Sequence, residues 1–307
     1  MAAPQTWAAT ITACCFAFTY SALTLASTST NEPISGSPQM SLPMLVVLFA
    51  ICVLMQSAVN VFDDYFDYKK GTDTLENSSN DKFDAVLVYN HVSPKAVLAY
   101  AIGLLALAGL LGIYVIYECG WIPLAIGLVG AIVVVLYAGG KVPLSHLPVG
   151  EIVSGFVMGG LIPLACCYAL TGQLDAKVLM FAIPVMIGIG LINATNNTCD
   201  IEKDAAVERD TLAVRLGRKK APRIYKAFVI VWIVCIIILA ALMSPSAAPF
   251  LPLMVLGAFP VLRALFLNPL IQQSRDGAMA QIVSLNVIFA AFYCLCLSLG
   301  PQLNWLL

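Results

Sequence analysis

Nine apolar runs dominate this chain, each long enough to cross a bilayer core at about 20 residues per helix. They lie near Trp7–Ala26, Ser41–Phe62, Ala96–Tyr117, Trp121–Tyr137, Glu151–Leu170, Val178–Asn193, Tyr225–Met243, Pro249–Leu267 and Ala278–Leu299. Only 11% of the 307 residues are charged, and mean hydropathy is +0.90. Soluble domains carry about 25% charge. A soluble globular enzyme, a disordered chain and a basic nucleic-acid binder are excluded. The fold class is all-α: a polytopic membrane protein of nine transmembrane helices, embedded in the lipid bilayer. Trp7–Ala26 has no Lys or Arg before it and reads as a first membrane helix rather than a signal peptide. Eight of the ten cysteines lie inside apolar runs and none is paired as CxxC, so they read as small packing residues.

The basic residues orient the chain. All but Lys177 fall in or beside even-numbered connections, most of them in Asp63–Lys95 and Asn196–Arg223. Positive charge is retained in the cytoplasm. The N-terminus is therefore expected inside and the C-terminus outside. Both long loops face the cytoplasm, and the protein is placed in the cell inner (cytoplasmic) membrane. Acidic residues contribute little to topology, yet 12 of 17 cluster in the same two connections.

Two clusters have helical spacing. Asn60, Asp64 and Asp67 recur at i, i+4, i+7 on one face, and Asn197, Asp200 and Asp204 at i, i+3, i+7. Asp64 and Asp200 are 136 positions apart, each motif ending the second helix of a four-helix stretch. This reads as a diverged duplication within one domain, 1–307: two four-helix halves, about 1–137 and 138–267, plus a final helix. Carboxylates near hydrocarbon are expensive, and two carboxylates one turn apart need a counter-charge. Mg²⁺ supplies it, binding one or two carboxylates and completing its shell with water and substrate phosphates. Two such sites facing each other describe a diphosphate clamp, with Asn60 and Asn197 orienting ligands without adding charge.

At these residues the chain resembles the UbiA family of intramembrane prenyltransferases. The resemblance is specific at Asn60-Val-Phe-Asp-Asp-Tyr-Phe-Asp-Tyr-Lys-Lys-Gly-Thr-Asp73, at Tyr137-Ala-Gly-Gly-Lys-Val-Pro-Leu144 with Gly150-Glu151, and at Asn196 to Asp204 with Thr211-Leu-Ala-Val-Arg-Leu-Gly217. These details are most like the menaquinone-pathway branch of that family. The resemblance implies helices around a central cavity with a cytoplasmic cap from the loops. It implies polyprenyl diphosphate bound through Mg²⁺ to Asp64 and Asp67 on one side and Asp200 and Asp204 on the other. Lys141 matches a family Lys implied to contact diphosphate, and Lys82 substitutes for a basic residue that the family has after the first motif. An Arg that the family has before the second motif's first Asp is Cys199 here.

The chemistry implied is electrophilic aromatic substitution. Lys141, Lys82 or Arg209 neutralises the departing diphosphate. Tyr65, Tyr68 and Tyr137 flank the allylic cation, and an apolar cavity keeps water out. The implied acceptor is 1,4-dihydroxy-2-naphthoate, whose carboxylate is replaced as CO₂ leaves. Alternatives are another quinone precursor such as hydroxybenzoate, or a cation-coupled transporter, which should instead place charges at the midplane of broken helices. His91 and His146 read as surface or capping residues, and Glu151 as a favourable helix-dipole placement. A cysteine introduced by Leu75→Cys is expected to react with impermeant reagents only from the cytoplasmic side, and labelling from the outer side would refute the topology.

Overall fold

A computed structural model describes residues 6–28, 40–71, 86–89 and 92–303. Every apolar run it covers is helical. Six stretches are long and apolar enough to cross a membrane. They are α1 (Trp7–Thr28), α2 (Leu42–Lys70), α4 (Pro94–Cys119), α6–α7 (Gly150–Phe156 and Ile162–Thr171, joined by a π turn at Val157–Leu161), α11 (Leu212–Met243) and α13 (Arg275–Leu303). Two apolar helices are shorter, α5 (Ile122–Ala138) and α12 (Leu251–Leu267). The remaining run forms α8 (Lys177–Phe181) and α9 (Ile183–Cys199). Short α3 (Val86–Tyr89) and α10 (Ile201–Ala206) lie in the long connections. Large side chains such as Leu110, Ile132 and Leu256 are exposed along these helices, as a lipid-facing surface requires.

Two helices run further than the hydropathy pattern predicts, because local caps and not polarity end them. α2 does not stop near Phe62. It continues to Lys70, where Gly71, at φ 74°, closes it by donating its N–H to the carbonyls of Asp67 and Tyr68. The first acidic motif therefore sits on helix, not loop. Lys69 and Lys70 occupy the last turn, where the helix dipole favours cations. α11 begins at Leu212 rather than Tyr225, capped by Thr211 Oγ1 accepting from the Val214 N–H, and it kinks at Gly217 (φ 70°). The break before α9 follows from Pro184, which has no N–H to continue the ladder. Carbonyls around it are used by other helices. Tyr293 donates to the Phe181 carbonyl at 2.9 Å, Trp232 to that of Pro184 at 2.7 Å, and Asn286 to that of Gly188 at 3.1 Å.

The larger core joins α1, α9, α11, α12 and α13 through Phe16, Trp232, Met254, Phe289 and Tyr293. A smaller one, with Val61, Phe62, Tyr65, Val97 and Ala138, holds the motif end of α2 against α4 and α5. α6 and the π turn cross α9 at backbone distance. A Cβ at Gly155 would stand 2.5 Å from the Met186 carbonyl oxygen, and one at Gly159 would stand 2.6 Å from the Met186 backbone. Gly159→Val is expected to destabilise the protein by about 1–3 kcal/mol or prevent folding. Gly103→Ala, where nothing lies within 4 Å, should not. Thermal unfolding in detergent separates the two.

Candidate functional site

The two acidic motifs converge. Asp67, from the last turn of α2, and Asp204, from α10, are both buried and both face Arg209. One guanidinium nitrogen, Nη1, lies 3.9 Å from Asp67 Oδ2 and 3.6 Å from Asp204 Oδ1. The backbone positions this arginine: its own N–H donates to the Asp204 carbonyl at 2.9 Å, and that of Asp210 to the His146 carbonyl at 2.9 Å. His146 Nε2 is 3.9 Å from Asp67 Oδ1. Asp200 closes α9, is buried, and pairs through Oδ2 with Arg275 Nε at 3.2 Å. The same Nε donates to Asn196 Oδ1 at 2.7 Å. Asp64 is half-buried one turn before Asp67.

Beside this cluster lies a set of amides and hydroxyls, with the carboxylates of Glu151 and Asp63 among them. Asn193 Nδ2 donates to Tyr137 Oη at 2.6 Å and to Ser154 Oγ at 2.8 Å, and Asn197 Nδ2 donates to Glu151 Oε1 at 2.8 Å. Asn60 donates to Thr6 Oγ1 at 2.8 Å. Asn60, Asp63, Tyr137, Ser154 and Asn193 line a cavity of about 170 Å³. Against it lies an apolar cavity of about 300 Å³ between α2, α4, α5 and α7. The two share Gln56, Val59, Val134, Val157 and Met158 as walls.

The UbiA prenyltransferase family profile matches residues 15–286. The chain belongs to the UbiA prenyltransferase family. It is 32% identical over 200 residues to the 1,4-dihydroxy-2-naphthoate octaprenyltransferase of Bacillus subtilis (strain 168), an alignment covering 64% of this chain and 63% of that protein. The chain thus spans less than two thirds of that relative. It is 26% identical over 260 residues to UbiA prenyltransferase domain-containing protein 1 of Gallus gallus, covering 84% of this chain and 75% of the other. A UbiA homolog from Archaeoglobus fulgidus, solved with DMAPP and Mg²⁺, shares the fold. Its TM-score is 0.63 at 13% identity, over 97% of this chain and 98% of that one. Like other UbiA proteins, this one is a multi-pass, all-α membrane protein.

Among the residues expected to act, Asp64, Asp67, Asp200, Asp204, Arg209 and Asn197 gather at this end of the molecule. Asn60 and Tyr137 line the polar cavity. Lys141 is exposed in the turn after α5 and makes no ion pair among the described residues. Tyr68 is also exposed, and Tyr65 packs under Lys69, whose Nζ is 5.7 Å from the ring centre. Lys82 and His91 lie outside the described residues. The sequence pattern missed Arg275, which had counted only toward topology, and His146, which is not a surface residue but an Asp67 neighbour. It also missed the pairings of Asn193 and Glu151. The one available signal was that His146 and Glu151 lie in the segment beginning at Tyr137, itself singled out by resemblance.

The donor set fits Mg²⁺ shared with a diphosphate rather than Mg²⁺ in a closed protein cage. No three His, Cys, Asp or Glu side chains converge as a preformed metal site among the described residues. Instead each motif carries two carboxylates, the set that an ion keeping other positions for water and phosphate would use. Arg209 Nε and His146 Nε2 are buried, with no hydrogen-bond partner among the described residues. They are donors suited to an anion. Burial lifts the Asp204 carboxyl to about 6. Arg209 opposes that rise, while Asp200 and Asp67 reinforce it. For Arg209 itself, burial lowers the pKa but the neighbouring Asp67, Asp204 and Asp63 outweigh it, so its charge is held more firmly than usual. A cation must displace the Asp204 proton to bind. Mg²⁺ affinity is therefore expected to fall about tenfold per unit as pH drops below about 6, and Asp204→Asn should flatten that slope. Titration calorimetry between pH 5 and 7 measures it.

Proposed function

We infer that this chain transfers a polyprenyl group from polyprenyl diphosphate to an aromatic acceptor, 1,4-dihydroxy-2-naphthoate, in menaquinone biosynthesis. The observation that carries the reading is the meeting of two acidic motifs from distant parts of the chain around one arginine, Arg209, at the end of the fold where a polar cavity shares walls with an apolar one. A prenyl diphosphate needs those three environments in that order. Asp64, Asp67, Asp200 and Asp204 hold the charged end, and Mg²⁺, when bound, neutralises the diphosphate as its bond to the allylic carbon breaks. Arg209 adds fixed positive charge at the same place, with Lys141 and Lys82 in flanking loops. The prenyl chain runs into the apolar cavity, whose lining of Leu48, Ile51, Met55, Leu105 and Ile162 excludes water from the allylic cation.

The acceptor ring sits in the polar cavity beside Tyr137 and Asn60, with Asn197 and Tyr68 nearer the diphosphate. The octaprenyltransferase relative, which is named for dihydroxynaphthoate, supports that choice of acceptor. The nine apolar runs support nine membrane spans, the repeated acidic motif supports two related halves, and the positive charges favour the motif end in the cytoplasm.

Membranes carrying the protein are to be incubated with Mg²⁺, farnesyl or geranylgeranyl diphosphate and a panel of aromatic acceptors, and the lipid products weighed. A decarboxylated prenyl-naphthol product is expected. Asp64→Ala and Asp200→Ala should each abolish it, by about 10³-fold or more if the whole metal-assisted step is lost. Retained turnover in both variants would refute the clamp.

A further inference from the structure

Two helices near the clamp are joined by a short polar ladder. Glu151 and Ser154 are three residues apart on α6, and Asn193 and Asn197 four apart on α9, so each pair shares a helix face. In one rung Asn193 Nδ2 donates to Ser154 Oγ at 2.8 Å and to Tyr137 Oη at 2.6 Å. In the other, one turn nearer the acidic motif, Asn197 Nδ2 donates to Glu151 Oε1 at 2.8 Å. The first rung lines the polar cavity. Ser154 Oγ also donates to the Glu151 carbonyl at 3.1 Å, which keeps the two rungs in register.

The second rung contains a chemical oddity. Glu151 Oε2 is buried, with no hydrogen-bond partner among the described residues. A glutamine could accept the same bond from Asn197 without bringing a charge into the site. A carboxylate with one oxygen fixed and the other buried and uncommitted is suited to receiving a proton. The other charged groups close enough to act on the Tyr137 hydroxyl, as Glu151 does, are Asp63 of α2 and Arg209 beyond α10.

We propose that Glu151 is the catalytic base that takes the ring-hydroxyl proton of the aromatic acceptor, with Asn197 as its positioning residue. This rests on the prenyl-transfer reading above. As the new bond forms between the allylic carbon and the ring carbon bearing the carboxylate, the hydroxyl proton passes to Glu151 Oε2 and the oxygen becomes a ketone. The bond to the carboxylate carbon then breaks. Its electron pair returns to the ring, CO₂ leaves, and the phenolate oxygen recovers its proton from Glu151. No net proton is consumed, and diphosphate is the only other product.

Full-length protein in detergent with Mg²⁺, geranylgeranyl diphosphate and dihydroxynaphthoate provides the test. Glu151→Gln is expected to lower kcat by about 10²- to 10⁴-fold, with prenyl diphosphate affinity and thermal unfolding unchanged. Glu151→Asp should recover part of the loss. Raising the pH until the acceptor hydroxyl ionises in solution should rescue Glu151→Gln and leave the natural protein flat. Asn197→Ala should lower kcat, and in the Glu151→Gln background it should add little further loss, because Asn197 acts on the proton transfer through the Glu151 carboxylate. Glu151→Gln with undiminished kcat, a deficit indifferent to pH, a parallel loss of prenyl diphosphate binding, or losses from Glu151→Gln and Asn197→Ala that add in full would each overturn the assignment. The two readings fail differently. A natural protein that prenylates no naphthoate defeats the acceptor reading, whereas one that does so no faster than Glu151→Gln defeats only the base.

Discussion

A charge at the edge of hydrocarbon persists only where another charge or a set of hydrogen bonds accompanies it. Here that condition ties the chain together at one end. Asp67 and Asp204 come from segments 137 positions apart, and neither could be buried beside the other without the guanidinium of Arg209 between them. Arg218 does related work one step outward. It pairs with Glu202 and donates to the carbonyls of Thr198, Cys199 and Leu270, which include the last carbonyls of α9. Arg275 joins the start of α13 to Asp200 and Asn196. Three arginines thus fix the second acidic motif against three other parts of the fold.

The same rule applies inside the membrane, with neutral partners. Proline breaks the run between α8 and α9, and the side chains of Tyr293, Trp232 and Asn286 reach the carbonyls nearby. Glycine sets the distance. With Gly155 and Gly159 against Met186, and Gly190 against the Glu151 carbonyl, α6 and α9 approach closely enough for 2.8 Å bonds between short side chains. A bulkier crossing would separate Ser154 from Asn193 and Glu151 from Asn197. The polar ladder is therefore a consequence of the small residues beside it.

The apolar runs and the positions of basic residues made the helices and their grouping legible, because lipid imposes length and charge bias on any spanning segment. The carboxylate spacing identified both motifs. Where α2 and α11 end or begin was less visible, since hydropathy reports where lipid stops and not where the helix does. The Gly71 cap and Lys69–Lys70 were the local signals for α2. The partners of Arg275, His146 and Glu151 were not legible at all. Each lies 46 to 79 residues away, and nothing in a single sequence records which polar groups the packing brings together.

One face of α2 relates these constraints to the reaction. Counting inward at helical steps from its Lys70 end, it presents Asp67, Asp64, Asn60, Gln56, Cys52 and Leu48. The series passes from two carboxylates through two amides and a thiol to an alkyl group. Asn60 and Gln56 line the polar cavity; Gln56, Cys52 and Leu48 line the apolar one. A polyprenyl diphosphate has the same gradient, a charged head and a hydrocarbon tail in which each buried methylene contributes about 0.8 kcal/mol. On the reading proposed here, the helix orients its substrate by matching polarity along its length. Moving the carboxylates inward would leave them unpaired in hydrocarbon, and moving the alkyl residues outward would expose the cation to water. The head must be held where charge can be paired, and the tail must lie where water is scarce. A single membrane helix, crossing from one medium to the other, supplies both conditions within six turns of backbone.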